Sequence, residues 1–187
     1  LDPHHLVRTG SEGLTAAPET TRTRPDVVHA LSGIDYLTFH LWIQNFGWYD
    51  PAKPDTLPEA TTRAINYFNQ HLDIAAKINK PSVFEEFGLA RDGGEFGPSA
   101  PTSARDRFYE TMFAATLNAA QSGRPVSGVN FWAWGGEAKP AHPGGLWHPG
   151  QPYTGDPPHE PQGWYSVYND DSSTIGIIKE FAAKFAN

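Results

Sequence analysis

The 187-residue chain contains no cysteine. That excludes a disulfide framework, a thiol nucleophile and any thiolate-held zinc or iron–sulfur site. Basic charge is scarce as well: 14 Lys and Arg stand against 21 Asp and Glu, for a formal net charge of -7. Such a balance speaks against a nucleic-acid partner, which calls for a basic face. No run of about 18 apolar residues occurs, so no membrane-spanning helix is expected. The first residues, Leu1-Asp2-Pro3-His4-His5, have neither the basic start nor the apolar stretch of a secretion signal. No Gly-x-Gly-x-x-Gly follows the first β-prone run, and no Gly-x-x-x-x-Gly-Lys-Ser/Thr occurs anywhere. The strongest marks of a nucleotide-binding fold are therefore missing. The length itself falls below the roughly 250 residues of a closed eight-fold β/α barrel.

Aromatic residues and backbone punctuation are plentiful. Aromatics make up 13% of the chain, with six Trp, and there are 18 Gly and 17 Pro. Twelve of the 25 residues from 139 to 163 are Pro or Gly, and Trp147, Tyr153, His142, His148 and His159 share that stretch. Aromatics in a loop of this length favour a packed, functional loop over a linker. The three histidines lack compact ligand spacing, so no metal site is expected.

Short β-prone runs alternate with segments of helical period. The runs are residues 6–8, 34–41, 82–87 and 128–134, each followed by a Gly-rich or polar loop. In residues 59–79, Ala64, Ile65, Phe68, Leu72, Ala75, Ala76 and Ile78 form one stripe behind Pro58, a residue suited to a helix start. Residues 104–121 carry Phe108, Met112, Ala115, Thr116 and Ala120, with Thr102 or Ser103 as N-cap and Gly123 as stop. Residues 173–185 read as a final helix, and 25–31 as a short one. Four strand–helix units imply a parallel sheet with right-handed crossovers.

In such folds the chemistry sits at the C-terminal ends of the strands. The second run ends in His40-Leu41-Trp42, whose first and last residues share a face. The third ends in Glu85-Glu86-Phe87-Gly88. Alternation allows only one of the two carboxylates to face inward, and burying both would be costly. In the fourth, Asn130, Trp132 and Trp134 are expected on one face. A carboxylate, a histidine and tryptophans at successive strand ends suggest a carbohydrate site, since glycosidases work with a pair of carboxylates flanking the scissile bond.

At this point the chain resembles the C-terminal half of a glycoside hydrolase family 5 enzyme, close to the endo-β-1,4-mannanases. The matching stretches are Leu1 to Val7, Thr9-Gly10-Ser11-Glu12-Gly13, Ile34 to Trp42, Phe46-Gly47-Trp48, Lys80 to Leu89, Asn130 to Gly136, and Asp156 to Tyr165. The resemblance implies a (β/α)8 TIM barrel of which residues 1–187 supply strands five to eight and helices five to eight, with a long β8–α8 loop at about 135–170. It implies Glu86 as nucleophile, His40 near it, and Trp42 where the family has a Tyr that hydrogen-bonds the nucleophile. Trp132 would lie under the sugar at the cleavage point, and Trp134, Trp147 and Trp164 would hold more of the chain.

The family's acid/base glutamate follows an asparagine, and no Asn-Glu dipeptide occurs here. The expectation is therefore a retaining mannan hydrolase that carries one carboxylate of the pair. It would need the N-terminal half of the barrel, on the same or a second chain, and would be inactive alone. No cofactor is implied; the partner is a β-mannan or related polysaccharide, and the setting is extracellular. The alternatives are a non-catalytic carbohydrate-binding half-barrel and a β-1,4-glucanase of the same family.

Overall fold

The computed structural model describes residues 4–14 and 24–186. The motif residues Leu1, Asp2 and Pro3 lie outside them. Three parallel strands form the main sheet in the order β1 (Leu37–Leu41), β2 (Ser82–Phe87), β3 (Val126–Val129). A short turn of helix, α1 (Pro25–Val28), precedes β1; α2 (Leu57–Lys77) links β1 to β2, and α3 (Ser103–Gln121) links β2 to β3. A second, two-stranded parallel ribbon pairs β4 (Trp134–Gly136) with β5 (Val167–Tyr168), and α4 (Ser172–Phe185) follows. Among the described residues no helix is long and apolar enough to cross a membrane.

One face of the sheet is sealed by α2 and α3. Phe39, Phe84 and Phe87 stack in a row with ring centroids 5.0 and 4.9 Å apart, and Phe68 of α2 and Phe108, Tyr109 and Phe113 of α3 close over them edge-on or tilted. Each such pair contributes about 0.5–1.5 kcal/mol beyond its burial. The helix stripes run as their period predicts, with displacements of one position: Ala119 is buried where Ala120 was expected, and Ala76 is exposed.

The N-cap of α3 is supplied from elsewhere. Thr102 occupies the cap position but makes no cap bond; instead Asp92, in the loop after β2, accepts from the backbone N–H groups of Ser103 (3.0 Å) and Ala104 (2.8 Å). This ties the loop that follows the strand carrying Glu86 to the helix behind it.

Two expected strands come out differently. Residues 6–8 are not a strand. They belong to an extended strap alongside β1, held by Asp35 N–H to Val7 O (2.8 Å), His40 N–H to Glu12 O (3.0 Å) and Thr38 Oγ1 to Ser11 O (3.0 Å). The strap is pinned to α2 by His71, whose Nε2 accepts from Leu14 N–H at 2.8 Å while Nδ1 binds Tyr67 O at 2.8 Å. The fourth run, 128–134, is broken: β3 stops at Val129 and β4 begins at Trp134. Between them Asn130 N–H and Trp132 N–H continue to bond Phe84 O and Phe87 O, while Ala133 turns to Tyr165 and Val167. The change of partner ends the alternation, so Trp132 and Trp134 do not share a face. The peptide between Trp132 and Ala133 is cis.

Candidate active site

The register of β1 on β2 slips in the middle. Phe39 pairs with Phe84, but the next residue, His40, pairs with Glu86, leaving Glu85 as an extra residue. A bulge of this kind breaks the two-residue alternation. Phe84 and Phe87 are both fully buried on the helix side, so Glu85 and Glu86 are both left toward the other face. The expectation that only one carboxylate could point inward fails for this reason: both reach the same imidazole. His40 Nε2 lies 3.3 Å from Glu85 Oε2, and His40 Nδ1 lies 3.2 Å from Glu86 Oε2.

Arg8, from the strap, clamps the outer carboxylate with two contacts, Nη2 to Glu85 Oε1 at 2.7 Å and Nη1 to Oε2 at 3.0 Å. Burial pushes the Glu86 carboxyl above its usual range. The positive character of His40 works against that shift, Glu85 and Glu12 add to it, and Arg8 opposes it.

Glu86 opens into a cavity of about 380 Å³ lined by Glu12, His40, Trp42, Asn45, Phe46, Trp132, Pro157, Glu160 and Tyr165. Its aromatic walls are mutually braced. Trp42 meets Trp132 edge-on at 6.4 Å and tilts over Tyr165 at 4.9 Å, and Tyr165 OH bonds Asn45 Oδ1. Gly88 is the floor under both tryptophans. A Cβ there would stand 2.6 Å from Trp132 O and 2.9 Å from Trp42 Cζ3, so close approach requires glycine.

The Pro/Gly-rich loop forms the far wall. Fully buried Asp156 accepts from Gly163 N–H (2.9 Å), Tyr165 N–H (2.8 Å) and Ser166 Oγ. Gln162 Nε2 gathers the carbonyls of Asp156, Pro157 and Glu160 at 3.2, 2.9 and 3.1 Å, and its Oε1 accepts from Thr154 Oγ1 at 2.8 Å. These buried polar side chains hold Glu160 and Tyr165 in the cavity wall.

Of the residues singled out in the sequence, the structure brings Glu86, His40, Trp42 and Trp132 together. Trp164 reaches the site at one remove, stacked flat on Tyr165 at 4.8 Å. Trp147 is turned into its own loop, edge-on to Tyr153 with Nε1 donating to Gln151 O at 3.1 Å. Trp134 is 56% exposed outside the cavity. Arg8, Glu12, Asn45, Glu85, Glu160 and Tyr165 are additions to the set expected from the sequence. Glu12, Glu85, Glu160 and Tyr165 lie inside the quoted motifs, so a signal was there, whereas Arg8 and Asn45 fall outside them. Among the described residues no group of three or more His, Asp or Glu side chains is arranged to hold a metal ion.

A carboxylate braced by histidine at the C-terminal end of parallel strands, in an open cavity walled by indole and phenol rings, is suited to a sugar ring: flat faces for stacking, polar edges for hydroxyls. The comparisons agree. Residues 1–187 match the family described as GH family 5 β-mannosidase-like. The glycoside hydrolase family 5 mannosidase of Rhizomucor miehei superposes with a TM-score of 0.85 at 42% identity, over 97% of this chain and 44% of that one. A mannan endo-1,4-β-mannosidase described as putative, number 5 of Oryza sativa subsp. japonica, is 28% identical over 144 residues, 71% of this chain and 29% of that protein. The endo-β-1,4-mannanase of Thermotoga petrophila shares the fold, with a TM-score of 0.64 at 22% identity over 98% of this chain and 36% of that one.

The chain belongs to glycoside hydrolase family 5, in its β-mannosidase-like group. It spans less than half the length of these relatives. Family 5 mannosidases have a (β/α)8 barrel, and the β1–β2–β3 sheet with its helices is a partial α/β fold of that kind.

Proposed function

We propose that these residues form the C-terminal half-barrel, strands and helices five to eight, of a retaining hydrolase of β-mannosidic bonds, with Glu86 as nucleophile. The observation that carries the reading is the Glu86 carboxylate at 3.2 Å from His40 in the aromatic-walled cavity. In the first step a Glu86 oxygen attacks the anomeric carbon and the glycosidic C–O bond breaks. The leaving oxygen takes a proton from an acid/base carboxylate supplied by the N-terminal half of the barrel. In the second step that carboxylate removes a proton from water, which attacks the same carbon and frees Glu86.

Trp132 supports the ring being cleaved, and Trp42 takes the place from which a tyrosine hydroxyl would reach the nucleophile, its indole N–H being the corresponding donor. Trp134, which is exposed, and Trp164 serve sugar units further out, whereas Trp147, turned into its own loop, braces that loop. A polymeric mannan as substrate puts the reaction outside the cell.

The test is covalent trapping. A 2-deoxy-2-fluoro-β-mannoside with a good leaving group, incubated with the complete barrel, is expected to label the peptide containing Glu86; a label on another residue overturns the assignment. The 187-residue chain by itself is expected to bind mannan without turnover, and turnover by it alone would remove the need for a second half. A label with a glucoside but not a mannoside would favour the glucanase alternative.

A second reading, action at chain ends on short β-mannosides, is favoured by the names of the relatives. The 42% identical neighbour is a mannosidase, and the endo-acting proteins stand at 22 and 28%. The ratio of activity on mannobiose to activity on polymeric mannan separates the two.

A further inference from the structure

An imidazole between two carboxylates has a proton-counting problem. Neutral His40 carries one N–H, so it can donate to Glu85 or to Glu86 but not to both. The other ring nitrogen then turns a lone pair toward an oxygen at 3.2 or 3.3 Å. Repulsion is avoided only when a second proton is present, on the ring or on the facing carboxyl. Arg8 decides which carboxylate keeps its charge unshared. Its two contacts at 2.7 and 3.0 Å fix Glu85, whose side chain is 13% exposed, as the anion that accepts from Nε2–H. The shared proton is thereby placed on the line between Nδ1 and Glu86.

We propose that Glu85 and Arg8 are positioning residues for Glu86, acting through His40: the Arg8–Glu85 ion pair fixes the imidazole by Nε2 and aims Nδ1 at the Glu86 carboxylate. This rests on the reading of Glu86 as nucleophile. The logic matches a carboxylate that orients a catalytic imidazole and stabilises its protonated form. The bulge is what makes it possible, because under strict alternation from Phe84 the Glu85 and Glu86 side chains would point to opposite faces of the sheet. The charged or titratable groups facing Glu86 are His40 from β1, Glu85 beside it on β2, and Arg8 and Glu12 from the strap; Glu160 of the loop lines the same cavity.

The two partners act on Glu86 with opposite sign. Glu85 makes its ionisation harder and Arg8 makes it easier. In the complete enzyme, Glu85→Gln is expected to move the acid limb of kcat/KM to lower pH, and Arg8→Gln to move it to higher pH, each by about half a unit or more. The double variant is expected to return toward the parent. Both single variants lose kcat by about tenfold with KM within about twofold, because orientation rather than sugar binding is lost. Arg8→Lys keeps the charge but not the double contact, so it is expected to restore the limb and only part of kcat.

Limbs that do not move, or that move in the same direction for both single variants, overturn the proposal. The trapping experiment keeps this separate from the parent reading. If the fluoromannoside labels a residue other than Glu86, the nucleophile assignment fails. The positioning can still be judged from the NMR titration of a 13C-labelled Glu86 carboxyl in the same variants. There, opposite shifts for Glu85→Gln and Arg8→Gln support it, and equal or absent shifts refute it.

Discussion

His40 Nδ1 stands 3.2 Å from Glu86 Oε2, and the two residues are register partners across neighbouring parallel strands. Strand pairing therefore sets the distance between the imidazole and the carboxylate. On the proposed reading Glu86 must be ionised to attack, and burial holds its proton to higher pH than usual. The acid limb of kcat/KM is accordingly expected above the ordinary carboxylate value of 4.5, with activity falling as pH drops through it. Glu86→Ala should lower kcat by about 10⁴-fold or more. Azide, small enough to enter the space left, should restore part of the rate by attacking the anomeric carbon from the vacated side and giving the α-mannosyl azide. Full activity of Glu86→Ala would remove this residue from the chemistry.

Gly88 sets the position of two cavity walls. A methyl group there meets Trp132 O and Trp42 Cζ3 at 2.6 and 2.9 Å. The first neighbour is backbone, already bonded by the hydroxyl of fully buried Tyr109 at 3.1 Å, so it cannot yield freely. Gly88→Ala is expected to cost about 1–3 kcal/mol as overpacking and to weaken binding of manno-oligosaccharides by about tenfold or more. Calorimetric titration against mannotriose checks the second part. Unchanged affinity would mean that the tryptophans do not form the sugar platform.

What could be read in the sequence follows from how local the signal is. The helices at 57–77, 103–121 and 172–185 lie within two residues of where their apolar periods and breakers put them, and β2 coincides with residues 82–87. Both depend on side chains within a few positions of one another. The bulge that leaves Glu85 and Glu86 on one face depends on how β2 sits against β1, and no residue of β2 announces it. The break between Val129 and Trp134 arises because the chain leaves Phe84 and Phe87 for Tyr165 and Val167, some thirty residues on. Asp156 in a Pro-rich segment reads as a solvated turn residue. Only the converging donors of Gly163, Tyr165 and Ser166 make it a buried anchor. The family motifs reached further than periodicity did, since they brought His40, Trp42, Glu86 and Trp132 to one place.

The loop wall should depend on that anchor. Asp156→Ala leaves the buried N–H groups of Gly163 and Tyr165 without their acceptor, while the Ser166 hydroxyl keeps Thr154 O. Losing one member of a buried charged network costs about 3 kcal/mol. For a domain of this size that corresponds to a fall in Tm of about 6–12 °C. Because Tyr165 and Glu160 are held by the same segment, the variant should also lose sugar affinity below its Tm. Thermal unfolding followed by tryptophan fluorescence measures the first effect, and a Tm within about 2 °C of the parent would show that the network contributes little to stability.

His71 should give the fold a dependence on acid. It is fully buried, its Nδ1 bonded to Tyr67 O and its Nε2 accepting from Leu14 N–H, so a proton added at Nε2 would set two N–H groups against each other. Burial lowers its pKa from 6.5 to about 4. The unfolded chain binds this proton more readily than the native one, so stability is full above pH 6.5. It declines as pH falls from 6.5 toward about 4, and the contribution levels off below that. The shift corresponds to about 3 kcal/mol at most. His71→Gln cannot titrate, and it should be less stable than the parent at pH 7 yet lose less on going to pH 5. Urea unfolding of both proteins at pH 7 and pH 5 reads the difference directly. Equal losses for the two would show that the strap carrying Arg8 and Glu12 is not held through a neutral His71.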